Sequence, residues 1–123
     1  MLFRSGAAVM QPHEERHKCG VRAEQIAAAA LSAAGWCILA RNHRIAGLEV
    51  DILARDPRGQ LVAVEVRRRA ELGAAGPFAL LGARKVAALR RQREALPEIT
   101  RIDLLFVLGE PGRERLRLVR GIA

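Results

Sequence analysis

Apolar and polar positions alternate at Glu49-Val50-Asp51 and at Glu65-Val66-Arg67, the charged ends of two otherwise apolar segments, Glu49 to Arg55 and Leu61 to Arg67. A period of two predicts a pair of β-strands. Between them, Pro57-Arg58-Gly59 suits a three-residue hairpin loop, with Pro opening a type I turn and Gly supplying the left-handed residue. That loop pairs Asp56 with Gln60, sets Asp51 opposite Glu65 and sets Glu49 opposite Arg67. Side chains alternate faces along a strand, so these last four fall on one face. Val50, Ile52, Val62, Val64 and Val66 then form a dry opposite face.

The remaining pattern supplies the other elements. Ala23, Ile26, Ala27, Ala30, Leu31 and Ala34 recur at helical spacing over Val21 to Ala34, and Gly35 is a C-terminal stop. Trp36 to Arg41 reads as the first strand, followed by a polar stretch to Gly47. Ala70 to Gly82, with Gly73, Gly76, Pro77 and Gly82, reads as a loop. Arg84 to Leu96 is a basic amphipathic helix that packs through Val86, Leu89 and Leu96 and stops at Pro97. Ile102 to Leu108 is a strongly apolar strand, Glu110-Pro111-Gly112-Arg113 a turn, and Leu116 to Arg120 a short edge strand. Residues 1–19 read as a flexible segment ahead of one domain spanning 20–123. The order α-β-β-β-α-β-β predicts an α/β domain with a mixed central sheet of about five strands flanked by helices.

Length and charge narrow the function. The 123 residues suffice for one core. No apolar run approaches a membrane span, and Met1 to Met10 lacks the apolar region and cleavage site of a signal peptide. A cytoplasmic protein without membrane contact is expected. Two cysteines, Cys19 and Cys37, make no disulfide framework and read as inert reduced thiols. The net charge of +8 suits a polyanion partner. Of the 21 basic residues only Lys18 and Lys85 are lysine, so part of that excess is an arginine habit. With no Tyr, one Trp and three Phe, base stacking on rings is a poor fit.

Against that background the hairpin acids stand out, because acids are depleted in strands and buried charges need a partner or a metal. Carboxylates directly opposite have Cβ atoms roughly 5 Å apart and repel unless a proton or cation intervenes. The plainer reading is a solvent-exposed charge ladder. A ladder would stay polar along its length, whereas this face also carries Leu53, Leu61 and Ala63. Apolar at one end and charged at the other, it reads as a hard-cation site beside a guanidinium. Glu49 stays open between a ligand, a partner of Arg67 and an exposed side chain. Glu24 lies at the margin of its helix's apolar face and by itself reads as a boundary glutamate.

Other motifs carry less. His13-Glu14-Glu15-Arg16-His17 matches the His-Glu-x-x-His zinc pattern. It lies in a charged stretch after Pro12, and the only other histidine is His43, so no zinc site is assigned. Arg67-Arg68-Arg69 and the cluster of Arg84, Lys85, Arg90, Arg91 and Arg93 flank the glycine-rich loop, bringing positive charge beside the acids. The loop itself lacks the phosphate-binding spacing and lysine.

Taken together these residues resemble the YraN family, small proteins with a restriction-endonuclease-like fold similar to Holliday junction resolvases. The resemblance runs from about Gly20 to Arg120. Gly20 and Ala23-Glu24 resemble the family's Gly-x-x-Gly-Glu, with Ala for the second Gly, and Asn42 and Arg44 its Asn-x-Arg. Gly47 to Ala54 resembles Gly-Glu-Ile-Asp-Leu-Ile with one residue inserted after Gly47. Val64-Glu65-Val66-Arg67 with Arg69 resembles Val-Glu-Val-Lys-Thr-Arg, and Lys85 and Arg101-Ile102-Asp103 match later positions.

The resemblance implies a nucleic-acid-binding protein of nuclease type, acting on structured or branched DNA. Glu24, Asp51 and Glu65 would hold Mg²⁺ or Mn²⁺ through oxygen, polarising the scissile phosphate and activating a water. Arg67 would stand in the catalytic lysine position. Arg44, Arg68, Arg69, Arg84, Lys85 and Arg91 would hold nucleic acid, with Asn42 and Glu49 supporting the site. Likeness to resolvases also implies a homodimer. Arginine keeps the charge of lysine but cannot act as a neutral base. A non-catalytic binding module that keeps the fold therefore stands as the alternative.

Overall fold

The computed structural model describes residues 12–45 and 47–123. Eight elements run in the order α1 (Pro12–Ala33), β1 (Cys37–Ile45), β2 (Leu48–Arg55), β3 (Leu61–Arg69), α2 (Pro77–Leu81), α3 (Ala83–Ala95), β4 (Arg101–Leu108) and β5 (Arg115–Val119). The five strands form one mixed sheet in sequence order. Only β3 and β4 are parallel, joined by the crossover that carries α2 and α3; the other neighbours are antiparallel.

The hairpin turn forms as its sequence dictates. Gly59 has φ 84, the Asp56 N–H donates to the Gln60 carbonyl at 2.9 Å and the Gly59 N–H to the Asp56 carbonyl at 2.8 Å. The Asp56 carboxylate accepts from the N–H groups of Arg58 and Gln60, an Asx-type closure of the loop. The β2–β3 ladder keeps this register from Arg55↔Leu61 to Ile52↔Val64, and there the paired ladder stops.

Two apolar layers sandwich the sheet. Ala23, Ala27 and Leu31 of α1 pack on Ile52, Ala54, Val62, Val64 and Val66 with Leu105 and Val107. Leu89 of α3 packs on the other face with Ala63, Leu104 and Phe106. The period-two reading of β3 therefore holds. Val50 is a correction: it joins the α3-side cluster with Phe106, not the α1-side group; here β2 is paired only with β1, through His43↔Val50, beside Asn42, whose left-handed φ of 51 interrupts the regular pleat.

Three elements and one packing stripe differ from expectation. The helix already runs from Pro12, well before Val21; it ends as expected, with Gly35 at φ 94 and the Trp36 N–H donating to the Leu31 carbonyl at 3.0 Å, the Schellman closure. β1 continues through the polar residues 41–45, pairing Arg41↔Ile52 to Ile45↔Leu48, since an edge strand needs backbone partners and not apolar side chains. Residues 77–81 form a short helix inside the expected loop, starting at a proline whose fixed φ suits a first helical position. On α3 the buried stripe is Val86, Leu89 and Gln92, with Leu96 only partly buried. The first eleven residues and the His13, His17 and Cys19 side chains lie outside the described part, while Cys37 is exposed.

Candidate active site

Past Ile52↔Val64 the hairpin strands part, and a cleft of about 260 Å³ opens, lined by Glu49, Asp51, Glu65, Arg67, Lys85, Ala88, Leu89 and Gln92. The direct pairs Asp51 with Glu65 and Glu49 with Arg67 that the turn register predicts lie beyond the ladder and do not form, because the strands have parted, yet all four residues line the cleft. Asp51 marks the fork. Its Oδ2 accepts the Val66 N–H at 2.8 Å, so a side chain replaces a rung of the missing ladder. Glu65, 6% exposed, points the same way from β3 and is covered by α3.

Glu65 is held by two cations. Arg67 Nη2 lies 2.6 Å and Lys85 Nζ 3.3 Å from its Oε2. Both cations make their closest contact with Oε2, and no hydrogen bond among the described residues uses Asp51 Oδ1. Asp51 therefore keeps one oxygen free beside the cleft that Glu65 also lines.

The electrostatics single out Asp51. Its carboxyl is pushed up from 3.8 to about 6, first by burial and then by the charge of Glu65. The Val66 N–H opposes the rise, Glu24 adds to it from α1 and Arg67 offsets part of it. Asp51 thus senses negative charge from both layers. A local excess of carboxylate that one proton or cation would relieve is the condition for a hard-cation site. Glu24 is half-buried, acts on Asp51 as a charge, and is not among the cleft residues. Among the described residues no three His, Cys, Asp or Glu side chains are gathered closely enough to enclose a metal. Two carboxylates suffice for Mg²⁺, which is usually bound through one or two with waters and substrate phosphates completing its shell. The donor set of Asp51 and Glu65 fits that cation.

The other sequence candidates occupy different ground. Asn42 falls between the Arg41↔Ile52 and His43↔Val50 pairs, exposed, at φ 51. Arg44 pairs with Glu49 across β1 and β2 and donates to the Gly47 carbonyl at 3.1 Å. Arg68 faces away from the cleft side of β3, donating to the Gly109 carbonyl at 2.8 Å and lying 3.7 Å from Glu114. Arg69 donates to the Arg68 carbonyl at 2.7 Å. Arg84 and Arg91 are exposed on α3.

Gln92 is the cleft residue that sequence reading misses. The available signal was its spacing: it follows Lys85 by seven positions and Leu89 by three, which puts a polar residue on the packing stripe.

At the far end of the hairpin a separate ion network seals the turn. Arg101 Nη1 donates to Asp56 at 2.9 Å and its Nε to Asp103 at 2.9 Å. Asp103 also accepts the Gly121 N–H at 2.8 Å, and the guanidinium lies 5.9 Å from the Trp36 ring centroid. Burial works against the Asp56 charge, but hydrogen bonds from Gln60, Arg101 and Arg58 hold its carboxyl below the usual range.

The fold and cleft thus define a class: a one-sheet α/β domain with paired strand carboxylates opposed by cations. The chain belongs to the uncharacterised protein family UPF0102, whose model matches residues 23–107, a span that holds every cleft residue. It is 36% identical over 110 residues to the UPF0102 protein of Deinococcus radiodurans, covering 81% of this chain and 88% of that one. To the UPF0102 protein of Paracidovorax citrulli it is 42% identical over 100 residues, 74% of each chain. To that of an Arthrobacter species it is 34% identical over 111 residues, 84% and 93%. Among solved structures, Pyrococcus furiosus SfsA in complex with Ca²⁺ aligns with TM-score 0.39 and 13% identity over 87% of this chain and 64% of that one, a likeness too low to carry an argument. Among the described residues no helix is long and apolar enough to cross a membrane.

Proposed function

We propose that this chain is a nucleic-acid-binding protein of nuclease type, a Mg²⁺- or Mn²⁺-dependent endonuclease of restriction-endonuclease-like fold that acts on structured or branched DNA. The single observation that carries the reading is the cleft end of the hairpin, where Asp51 keeps an oxygen free beside the Glu65 carboxylate that Arg67 and Lys85 hold. A divalent cation on those carboxylates would polarise a phosphodiester and ease ionisation of an attacking water.

The chain's own residues divide the rest of the work. Asp51 and Glu65 supply hard oxygen ligands on rigid strands, and Glu24 strengthens the local negative potential from α1. Arg67 keeps its charge at all working pH values and offers a fork shaped for phosphate oxygens. Lys85 brings what Arg67 lacks, a compact ammonium with freely rotating donors that can orient a water and stabilise developing negative charge. The lysine that the resemblance expects on the strand is thus supplied from helix α3. The chain holds 21 basic residues and only two lysines, and one of the two lies in the cleft. Arg84 and Arg91, exposed on the same helix, extend positive charge along the path of a phosphate backbone. A homodimer fits this reading, since a four-way junction offers two equivalent strands to cut.

The test is cleavage of four-way, flapped and linear DNA in Mg²⁺ or Mn²⁺ by wild type and by a variant carrying Asp51→Ala and Glu65→Ala. Products from wild type alone support the reading. Cleavage that survives in the double variant removes the site assignment. Structure-selective binding without products at any metal concentration leaves the non-catalytic module.

A further inference from the structure

Gln92 occupies a position where an apolar side chain would pack without cost. It is 5% exposed, and its Nε2 is buried with no hydrogen-bond partner among the described residues. It lines the cleft with Asp51, Glu65, Arg67 and Lys85. An amide donor taken out of water and left unpaired is destabilising, and that cost is recovered only when an acceptor arrives. Val86 and Leu89 on the same stripe show what packing alone selects there.

The neighbours indicate which acceptor. Oε2 of Glu65 is taken by two cations, and Oδ2 of Asp51 by the Val66 N–H. Gln92 adds a neutral amide donor to the guanidinium of Arg67 and the ammonium of Lys85, giving three donors of different kinds around one cleft. A phosphate group presents oxygens in several directions and can accept from more than one of them at once. A base edge interleaves donors with acceptors and matches such a donor-rich wall less well.

We propose that Gln92 Nε2 donates to a non-bridging oxygen of a phosphodiester seated in the cleft, making α3 the wall that positions the phosphate over the Asp51–Glu65 pair. This inference rests on the nuclease-type reading and adds a positioning residue to it.

Gln92→Met tests it, because methionine keeps the length and bulk of the side chain and removes the amide. Two measurements are made on the full chain: the melting temperature without ligand, and the affinity for a fluorescein-labelled four-way DNA junction in Ca²⁺ buffer across a salt series. The expected result is a melting temperature raised by a few degrees, since an unpaired buried donor is gone. Junction affinity should fall about tenfold, the loss of one hydrogen bond to a charged oxygen. The salt slope should not change, because no charge is removed. A lowered melting temperature overturns the proposal, since the amide would then be satisfied within the fold. Wild-type binding that Gln92→Met leaves intact overturns this proposal alone. A wild type that does not bind the junction removes the nuclease-type reading as well.

Discussion

Lys85 Nζ lies 3.3 Å from Oε2 of Glu65, so the helix inside the β3–β4 crossover delivers an ammonium to a carboxylate of the strand before it. Arg67 reaches the same oxygen from within β3. The two cations are not equivalent. A guanidinium grips oxygens in a plane, whereas an ammonium is a compact point charge that turns its donors freely. Lys85→Ala is therefore expected to slow metal-dependent cleavage about a hundredfold or more, the range for losing one positioned donor to developing negative charge. Lys85→Arg should fail to restore it, while Arg67→Ala should weaken DNA affinity more than it slows the bound reaction. Single-turnover rates with saturating protein separate these effects. A Lys85→Ala rate equal to wild type contradicts the assignment.

Asp51 makes the site sensitive to pH. Its carboxyl titrates near 6 in the fold, and near 3.8 when unperturbed, so the folded chain holds the proton more tightly. The stability contributed by this group is complete below pH 3.8. It is lost as pH rises to about 6, for a total of up to roughly 3 kcal/mol. Asp51→Asn keeps an acceptor for the Val66 N–H and removes the ionisation. Urea denaturation should find the Asn variant more stable than wild type at pH 7.5 and similar to it near pH 3.5. A variant less stable than wild type at pH 7.5 would show that the Asp51 charge is not under stress.

The network at the opposite end of the hairpin is a stability element and not part of the cleft. Arg101 joins the turn residue Asp56 to Asp103 on β4, and both carboxylates are fully buried. Arg101→Leu leaves the Asp103 carboxylate without its cation, at a cost of about 3 kcal/mol or more. Equilibrium denaturation should register that loss, and Mn²⁺ affinity of the folded variant should match wild type. A loss below about 1 kcal/mol, the range of exposed pairs, would contradict the buried network.

Nucleic-acid affinity should fall steeply with salt, because binding a polyanion displaces its counterions. Arg84 and Arg91 are exposed on α3, so Arg84→Gln and Arg91→Gln should each lower the slope of log affinity against log salt by about 1 if they touch phosphates. Fluorescence anisotropy across a salt series reads this. Unchanged slopes would move the DNA path away from α3.

The hairpin was legible in the sequence because its information is local. Pro57 and Gly59 define the turn, the turn defines the register, and the register puts Glu49, Asp51, Glu65 and Arg67 on one face. The extent of β1 was not legible, since Asn42, His43 and Arg44 belong to an edge strand whose pairing is made by backbone groups. The meeting of Lys85 and Gln92 with Glu65 was hidden for a different reason. It depends on where a parallel crossover sets α3 down on the sheet, a non-local outcome of Leu89 packing against Ala63, Leu104 and Phe106. Lys85 therefore read as part of a basic surface, and Gln92 did not register as a site residue.

The metal-dependent reading turns on whether Asp51 and Glu65 hold a divalent cation. Calorimetric titration of Mn²⁺ into wild type, Asp51→Asn and Glu65→Gln at pH 7.5 addresses that without knowledge of the substrate. The expected result is one bound ion per wild-type chain and loss of that binding in both variants. Wild type without a binding heat, or variants that bind as wild type does, would contradict the carboxylate pair as a cation site and with it the metal-dependent nuclease.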